Sequence, residues 1–157
     1  MKQIEIRLRT ETVAPLLGTL RQAGLQARSQ LAMQIRLPAG DDELAPVWKA
    51  ELLAGQSQDV RVLLDLFENR YVRNGTVVIE ADIYESVLRA CAAMRIHLHA
   101  DWLGGLPQEV LEDEDSRPED VPPEQRTAFN CYLLLGYLQR IVLQNFAFAF
   151  EGPLRRT

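Results

Sequence analysis

His97, His99 and Asp101 have the spacing of a possible metal-ligand motif, H-x-H-x-D. On a strand or loop, all three side chains would project to one side, as in part of a metallohydrolase site. On a helix, His97 and His99 point about 200° apart, and only His97 and Asp101, at i and i+4, can meet. The surrounding residues have a helical period, and the chain has only two histidines. We therefore expect neither a metal nor a cofactor.

The sequence also lacks an assembled nucleophilic or phosphate-binding set. A catalytic cysteine needs a nearby base, but Cys91 projects about 120° away from His97 on the same predicted helix. Pairing between different helices stays open. The chain contains no G-x-G-x-x-G and no P-loop lysine motif, so phosphate cradling is not expected. We name no catalytic residue, and a non-enzymatic protein is favoured.

Arg95 is the most informative charged residue, because it lies at the edge of the apolar face of a predicted helix. Its guanidinium should be partly desolvated and should need a carboxylate or backbone carbonyls as partners. It either braces the core or anchors a ligand. One alternative hypothesis is that Arg95 forms a pocket between two long helices with Tyr137 and Gln139 of the last helix. The protein would then be a small enzyme or a ligand-binding protein.

The two cysteines, Cys91 and Cys131, fall inside predicted helices and form no closely spaced motif. This usage is typical of a reducing compartment, where both would be buried small hydrophobes. The other hypothesis is a thiol-based redox-responsive regulator. It requires the two Cα atoms to approach within roughly 7 Å.

Two long helices, at 82–103 and at 123 to about 146, must position these residues. The first gathers an apolar face from Ile83, Val87, Ala90, Cys91, Met94, Leu98 and Trp102. The second is apolar around most of its circumference, which predicts a central or dimer-forming helix. Its Leu133 and Tyr137 fall within the polar arc and need a cover. A homodimer would cover them at its interface. The alternative is an intramolecular cover by the N-terminal helix or by the segment with Phe148 and Phe150.

Gly136 interrupts this second helix. A mid-helix glycine costs about 1 kcal/mol relative to alanine. Close approach of another backbone would compensate for this cost, and simple tolerance is the alternative.

The N-terminal half alternates between strand and helix patterns. Period-two alternation predicts strands near 3–9 and 31–37, and a short β-branched run from Val77 to Ile79 predicts a third near 76–80. Helical patterns are predicted to end at Gly24, Gly55 and Gly75, and Asp82 should cap the first long helix. We therefore expect a single α+β domain over residues 1–157. It is predominantly helical, with the two long C-terminal helices packed against N-terminal helices and a small sheet.

Charge is concentrated in an acidic segment, residues 108–120, which has one base, Arg117, and seven acids, Glu109, Glu112, Asp113, Glu114, Asp115, Glu119 and Asp120. We expect a solvated, flexible loop at about 108–122. Bases are scattered elsewhere, so nucleic-acid binding is not expected. No run approaches the ~20 apolar residues that cross a bilayer, and the start lacks a secretory pattern. These features predict a cytoplasmic protein with no membrane partner.

The strand and helix from Val77 to Leu103, the acidic gap and the run Leu135-Gly136-Tyr137-Leu138-Gln139 resemble a mainly actinobacterial family, the domain-of-unknown-function family numbered twenty-seventeen. Its signature positions here are Arg89, Arg95, Leu135, Gly136, Leu138 and Gln139. The resemblance implies a bacterial origin and brings no established catalytic residue or cofactor. Thiol-linked stress regulation has been suggested within the family. The run Ile96-His97-Leu98-His99 departs from the usual leucine, glycine and short polar continuation.

The sequence thus predicts a cytoplasmic, non-enzymatic and possible regulatory protein that acts through protein contacts, as a homodimer and with an unidentified protein partner. The predicted binding residues are Arg89, Arg95, Leu133, Tyr137 and Gln139, and the predicted redox residues are Cys91 and Cys131. A deep pocket in which Arg95, Gln139 and Tyr137 converge would favour a ligand binder. A flat patch around Leu133 and Tyr137 would favour the contact protein.

Overall fold

The structure is a computed structural model that describes residues 2–32, 43–113 and 115–147. Strand β1 (Gln3–Arg7) leads through α1 (Thr10–Val13) and a 3-10 turn (Ala14–Leu16) into α2 (Leu17–Ser29). Helices α3 (Ala45–Asp65) and α4 (Asn69–Asn74) precede β2 (Thr76–Glu80). Helices α5 (Tyr84–Asp101), α6 (Gln108–Glu112) and α7 (Arg126–Val142) complete the order, and a π-helical turn (Leu143–Ala147) follows. The protein is therefore predominantly helical α+β, as predicted.

The sheet pairs β1 with β2 in antiparallel register, from Gln3 opposite Glu80 to Arg7 opposite Thr76. Ile6, Val77 and Ile79 face the core, as expected for side chains that alternate between the two faces of a sheet. Leu31 and Ala32 belong to no strand. The rest of the strand predicted at 31–37 lies outside the described residues.

Helix α5 occupies the centre of the helical layer, because it packs against α2, α3 and α7. The predicted apolar face is buried at Val87, Ala90, Cys91, Met94 and Leu98. Helix α7 lies to one side, and contributes Phe129, Leu135, Leu138 and Val142 to the same core. The two long helices do pack together. However, α5 is the central helix, and among the described residues Leu133 and Tyr137 of α7 stay partly exposed.

Three predicted helix boundaries are wrong. Gly24 and Gly55 lie inside α2 and α3 instead of ending them. A Cβ atom on Gly24 would be 2.7 Å from Leu64 Cδ1, so this glycine permits close packing of α2 on α3. The residue at the N-cap of α5 is Ile83, without a side-chain cap, so Asp82 does not cap it. Gly75 does end α4, with a left-handed φ of 70°.

The acidic segment contains ordered elements: α6 and a 3-10 turn at Pro118–Asp120. Leu111 and Val121 are buried and join the core, while the described acidic side chains face solvent. The backbone from 108 to 122 is therefore attached to the domain at two apolar points. Its predicted flexibility and the single-domain assignment stay predictions.

Candidate functional site

The exposed face of α7 forms one wall of an open apolar groove, which we call the α7 groove. Leu133 and Tyr137 are 37% and 41% exposed, in contrast to the fully buried Leu135 and Leu138 on the same helix. The groove has a volume of about 540 Å³. Its α7 wall consists of Asn130, Leu133, Leu134 and Tyr137, and the opposite wall consists of Arg7, Leu8, Arg9, Thr12, Val13 and Leu16.

The N-terminal segment borders this groove without closing it. Leu16 contacts α7 directly, since its carbonyl oxygen lies 3.5 Å from Cys131 Sγ. Even so, Leu133 and Tyr137 keep more than a third of their surface exposed. The intramolecular cover predicted from the N-terminal helix is thus only partial. Phe148 and Phe150, the other predicted cover, lie outside the described residues.

Two arginines and one residue of the acidic segment line the α7 groove. Arg7 and Arg9 are exposed and line it, and neither makes an ion pair within the described ranges. Pro118, from the acidic segment, also lines it. Arg126 Nε donates to the carbonyl oxygens of Pro118 and Val121, each at 3.0 Å, and so holds this turn on α7. The groove therefore has two arginines in its lining, and the acidic segment reaches it at Pro118.

Arg95 occupies a notch on the other side of α7. Its Nη1 donates to Gln139 Oε1 at 2.8 Å, and its Cζ lies 4.1 Å from the centroid of the Tyr132 ring. A Cβ atom on Gly136 would be 3.2 Å from Cζ and 3.3 Å from Nη2. Tyr132, Gly136 and Gln139 share one helix face at i, i+4 and i+7. These three residues form the surface that binds the Arg95 guanidinium, and we call this surface the Arg95 notch.

Two expectations about this notch are corrected. Arg95 was predicted to need a carboxylate or backbone carbonyls, but its partner is the amide oxygen of Gln139, with cation–π stacking on Tyr132. Its Nε is buried and has no hydrogen-bond partner in the described part of the chain. Gly136 was predicted to accommodate another backbone, but it accommodates the Arg95 side chain.

The structure brings Arg95 and Gln139 together but separates both from Tyr137. Tyr137 lines the α7 groove, and the aromatic ring against Arg95 belongs to Tyr132. Sequence reasoning missed Tyr132, although its position seven residues before Gln139 is a usable helical signal. Among the described residues, the groove that contains Tyr137 therefore includes neither Arg95 nor Gln139 in its lining.

Arg89 joins α5 to α3. Its Nε and Nη2 donate to the two carboxylate oxygens of Asp59 at 2.8 and 3.1 Å, a bidentate pair. Hydrogen bonding to Asp59 is the main reason that the pKa of Arg89 is raised. Asp59 is 8% exposed, whereas the Arg89 side chain is 59% exposed. Arg89 thus pairs with a buried carboxylate, and its role as a binding residue stays a prediction.

A second apolar surface, between α3 and α5, was not predicted. It is a groove of about 470 Å³ whose lining includes Leu52, Ala92 and Ile96, with Asp59 and Arg89 also in the lining. The first half of α3 exposes an apolar stripe, Leu44, Val47, Trp48 and Leu52, at 44–53%. The spacing of these four residues at i, i+3, i+4 and i+8 predicts a helix. It does not predict whether this apolar face is buried or exposed to solvent.

Cys91 and Cys131 are free thiols, and both are buried. Burial raises the pKa of Cys91 from 9.0 to about 12, with a smaller opposing effect of Arg95. Burial also raises the pKa of Cys131 to about 12. The reactive thiolate is therefore disfavoured at both positions. This matches the interpretation as small buried hydrophobes, and the redox hypothesis stays a prediction.

The histidine motif adopts the predicted helical arrangement. His97 is buried, with its Nε2 2.9 Å from the carbonyl oxygen of Gln30 and its Nδ1 3.8 Å from Asp101 Oδ2. His99 is not part of this pair. Across residues 2–32, 43–113 and 115–147, no group of three or more histidine, cysteine or acidic side chains is placed to hold a metal ion. His97 instead contacts the end of α2.

The described residues also contain no helix with the length and apolarity needed to cross a membrane. The geometry defines a helical α+β protein with open apolar grooves and an arginine held between α5 and α7. The chain belongs to the family described as Domain of unknown function (DUF2017), which it matches over residues 36–145. This confirms the resemblance drawn from the residues around Arg95 and Gln139. Searches of curated proteins and of solved structures give no significant match.

Proposed function

We propose that this protein is non-enzymatic and acts through protein contacts, and that its first partner is a second copy of itself bound at the α7 groove. The observation that carries the proposal is the exposure of Leu133 and Tyr137 on a helix that buries Phe129, Leu135, Leu138 and Val142 in the core. Apolar side chains that line an open groove favour association, because contact removes their surface from water. In a two-fold dimer, both copies contribute the same groove to the interface.

Sedimentation equilibrium of the purified chain tests this proposal. The expected result is a dimer at micromolar concentration, with Leu133→Asp monomeric because a carboxylate in the interface would lose its hydration. Leu25→Asp is the matched control, since Leu25 is 65% exposed on α2 and does not line the groove. It should dimerise like the wild type. A wild-type chain that is monomeric at high micromolar concentration contradicts the proposal.

One further variant separates the two apolar surfaces. Trp48→Asp alters the exposed stripe of α3 and leaves the α7 groove intact. It should remain a dimer. Loss of the dimer in Trp48→Asp, with Leu133→Asp still dimeric, would move the contact to α3 and overturn the assignment to α7.

The second candidate is a protein that binds a small anion at Arg95. The guanidinium group supports this candidate. Its hydrogen-bond partner is a neutral amide oxygen, and its buried Nε has no hydrogen-bond partner in the described residues. An unpaired buried donor is costly, and an anion could offset that cost. Calorimetric titration with inorganic phosphate and with citrate tests this candidate. Saturable binding that Arg95→Met abolishes would favour it over the contact protein.

A further inference from the structure

The α7 groove carries arginines on one wall, and the acidic segment adjoins the same groove. We infer that two copies associate so that Arg7 and Arg9 of one copy face Glu119 and its acidic neighbours on the other. The inference rests on the proposed dimer and adds its register and its dependence on salt.

The two charged groups are available for such contacts. Arg7, Arg9 and Glu119 are exposed, and none of them makes an ion pair within the described residues. Glu119 lies next to Pro118, which is part of the groove lining. The bonds from Arg126 to Pro118 and Val121 hold the turn that carries Glu119 on α7. A partner at the groove would therefore meet Arg7 and Arg9, with this acidic turn next to the lining residue Pro118.

A second copy of this chain is the partner that fits this surface. A two-fold interface sets one patch against itself, so the arginine wall of each copy can face the acidic turn of the other, twice. The formal charge of the chain is −5, so two copies repel each other in most orientations. A register that places arginine opposite carboxylate reduces this repulsion and selects one orientation.

Two single charge reversals, Arg9→Glu and Glu119→Lys, test the inference. Each variant alone should dimerise at least about tenfold more weakly than the wild type at low salt, because each symmetric interface then holds two like-charge contacts. An equimolar mixture of the two variants should dimerise again. In that heterodimer, the two reversed side chains attract each other in one half of the interface, and the unchanged Arg9 and Glu119 attract each other in the other half. The mixture therefore distinguishes pairing from general damage.

The controls and readouts are chosen to separate this inference from the proposed dimer. Glu51→Lys makes the same charge change on α3, away from the α7 groove, and should leave the dissociation constant unchanged. Circular dichroism checks that each variant is folded. The wild-type dimer should weaken as salt screens the contacts. A wild-type dimer that both single reversals leave equally tight refutes the register alone, and a monomeric wild type refutes both proposals.

Discussion

At the scale of single residues, the Arg95 notch explains why a glycine lies in the middle of α7. The guanidinium lies where a side chain at position 136 would begin, and it stacks on Tyr132 one turn earlier. The cost of glycine in a helix, about 1 kcal/mol, is therefore balanced by a contact between helices. Gly136 and Arg95 should behave as one coupled unit in mutational experiments.

A double-mutant cycle measures this coupling. Gly136→Ala alone should gain none of the usual helix propensity, because the new Cβ atom requires the guanidinium to move. In the Arg95→Ala background, the same change should stabilise the protein by about 1 kcal/mol. Urea denaturation provides the free energies of unfolding. Gly55→Ala is the control, since no atom lies within 4 Å of its added Cβ, and it should stabilise in both backgrounds.

The two thiols should be unreactive in the folded protein. With each pKa raised from 9.0 to about 12, almost no thiolate exists at pH 8. Reaction with Ellman's reagent at pH 8 should be no faster than unfolding, and both thiols should react at once in urea. Rapid labelling of one thiol under native conditions would instead support the redox hypothesis.

The same pKa shifts set the direction of a pH effect. The unfolded thiols ionise near pH 9, but the folded thiols stay protonated to about pH 12. Stability is fully present below pH 9 and should fall as the pH rises from 9 towards 12. Urea unfolding at pH 8 and pH 10.5 should show a smaller loss for a Cys91→Ala, Cys131→Ala variant than for the wild type. Equal losses of stability in the wild type and in this variant would contradict the raised thiol pKa values.

At the scale of elements, the attachment of α3 to α5 depends on an asymmetric ion pair. Removing Arg89 leaves the buried Asp59 carboxylate without its partner, whereas removing the charge of Asp59 leaves Arg89 solvated. Arg89→Ala should therefore destabilise by about 1–3 kcal/mol, and Asp59→Asn by less. Thermal and urea unfolding check this order.

The control and the contrary result for this ion pair are simple. Arg61→Ala removes an exposed arginine of α3 that has no ion pair in the described ranges, so it should change stability by less than about 0.5 kcal/mol. Adding Asp59→Asn to Arg89→Ala should recover part of the loss. An Asp59→Asn variant that is less stable than Arg89→Ala would show that burial of the carboxylate is not the main cost.

The elements also show which sequence signals were reliable. Period-two alternation located β1, a β-branched run located β2, and the period of 3.6 located α5 and α7 with most of their buried faces. Glycine was less reliable as a helix stop. Gly75 ends α4 because it adopts a positive φ, but Gly24 and Gly55 continue their helices. At Gly24, the close packing of α2 on Leu64 outweighs the local preference.

At the scale of the whole molecule, a dimer at the α7 groove makes stability depend on protein concentration. Unfolding of a dimer releases two chains, so a tenfold rise in concentration adds about 1.4 kcal/mol per mole of dimer. The wild-type melting temperature should therefore rise with concentration, whereas that of Leu133→Asp should stay constant. Differential scanning calorimetry over a hundredfold range measures this, with Leu25→Asp following the wild type. A constant wild-type melting temperature would contradict the dimer.

The sequence alone determined the local features of this protein. Apolar periodicity predicted the fold class and the faces of α5 and α7, because the spacing of apolar residues is a property of each segment by itself. The order of the arginine helix, acidic gap and final helix was sufficient to predict the family. Helical geometry also placed His97 beside Asp101 and separated it from His99.

Only the tertiary structure decided which elements meet. Arg95 is bound by Tyr132, Gly136 and Gln139 because α5 crosses α7 at this position, and no spacing within either helix encodes that crossing. The groove wall from Arg7 to Leu16 lies beside Tyr137 although more than a hundred residues separate them. Such contacts depend on how the whole chain packs, so a local pattern cannot specify them.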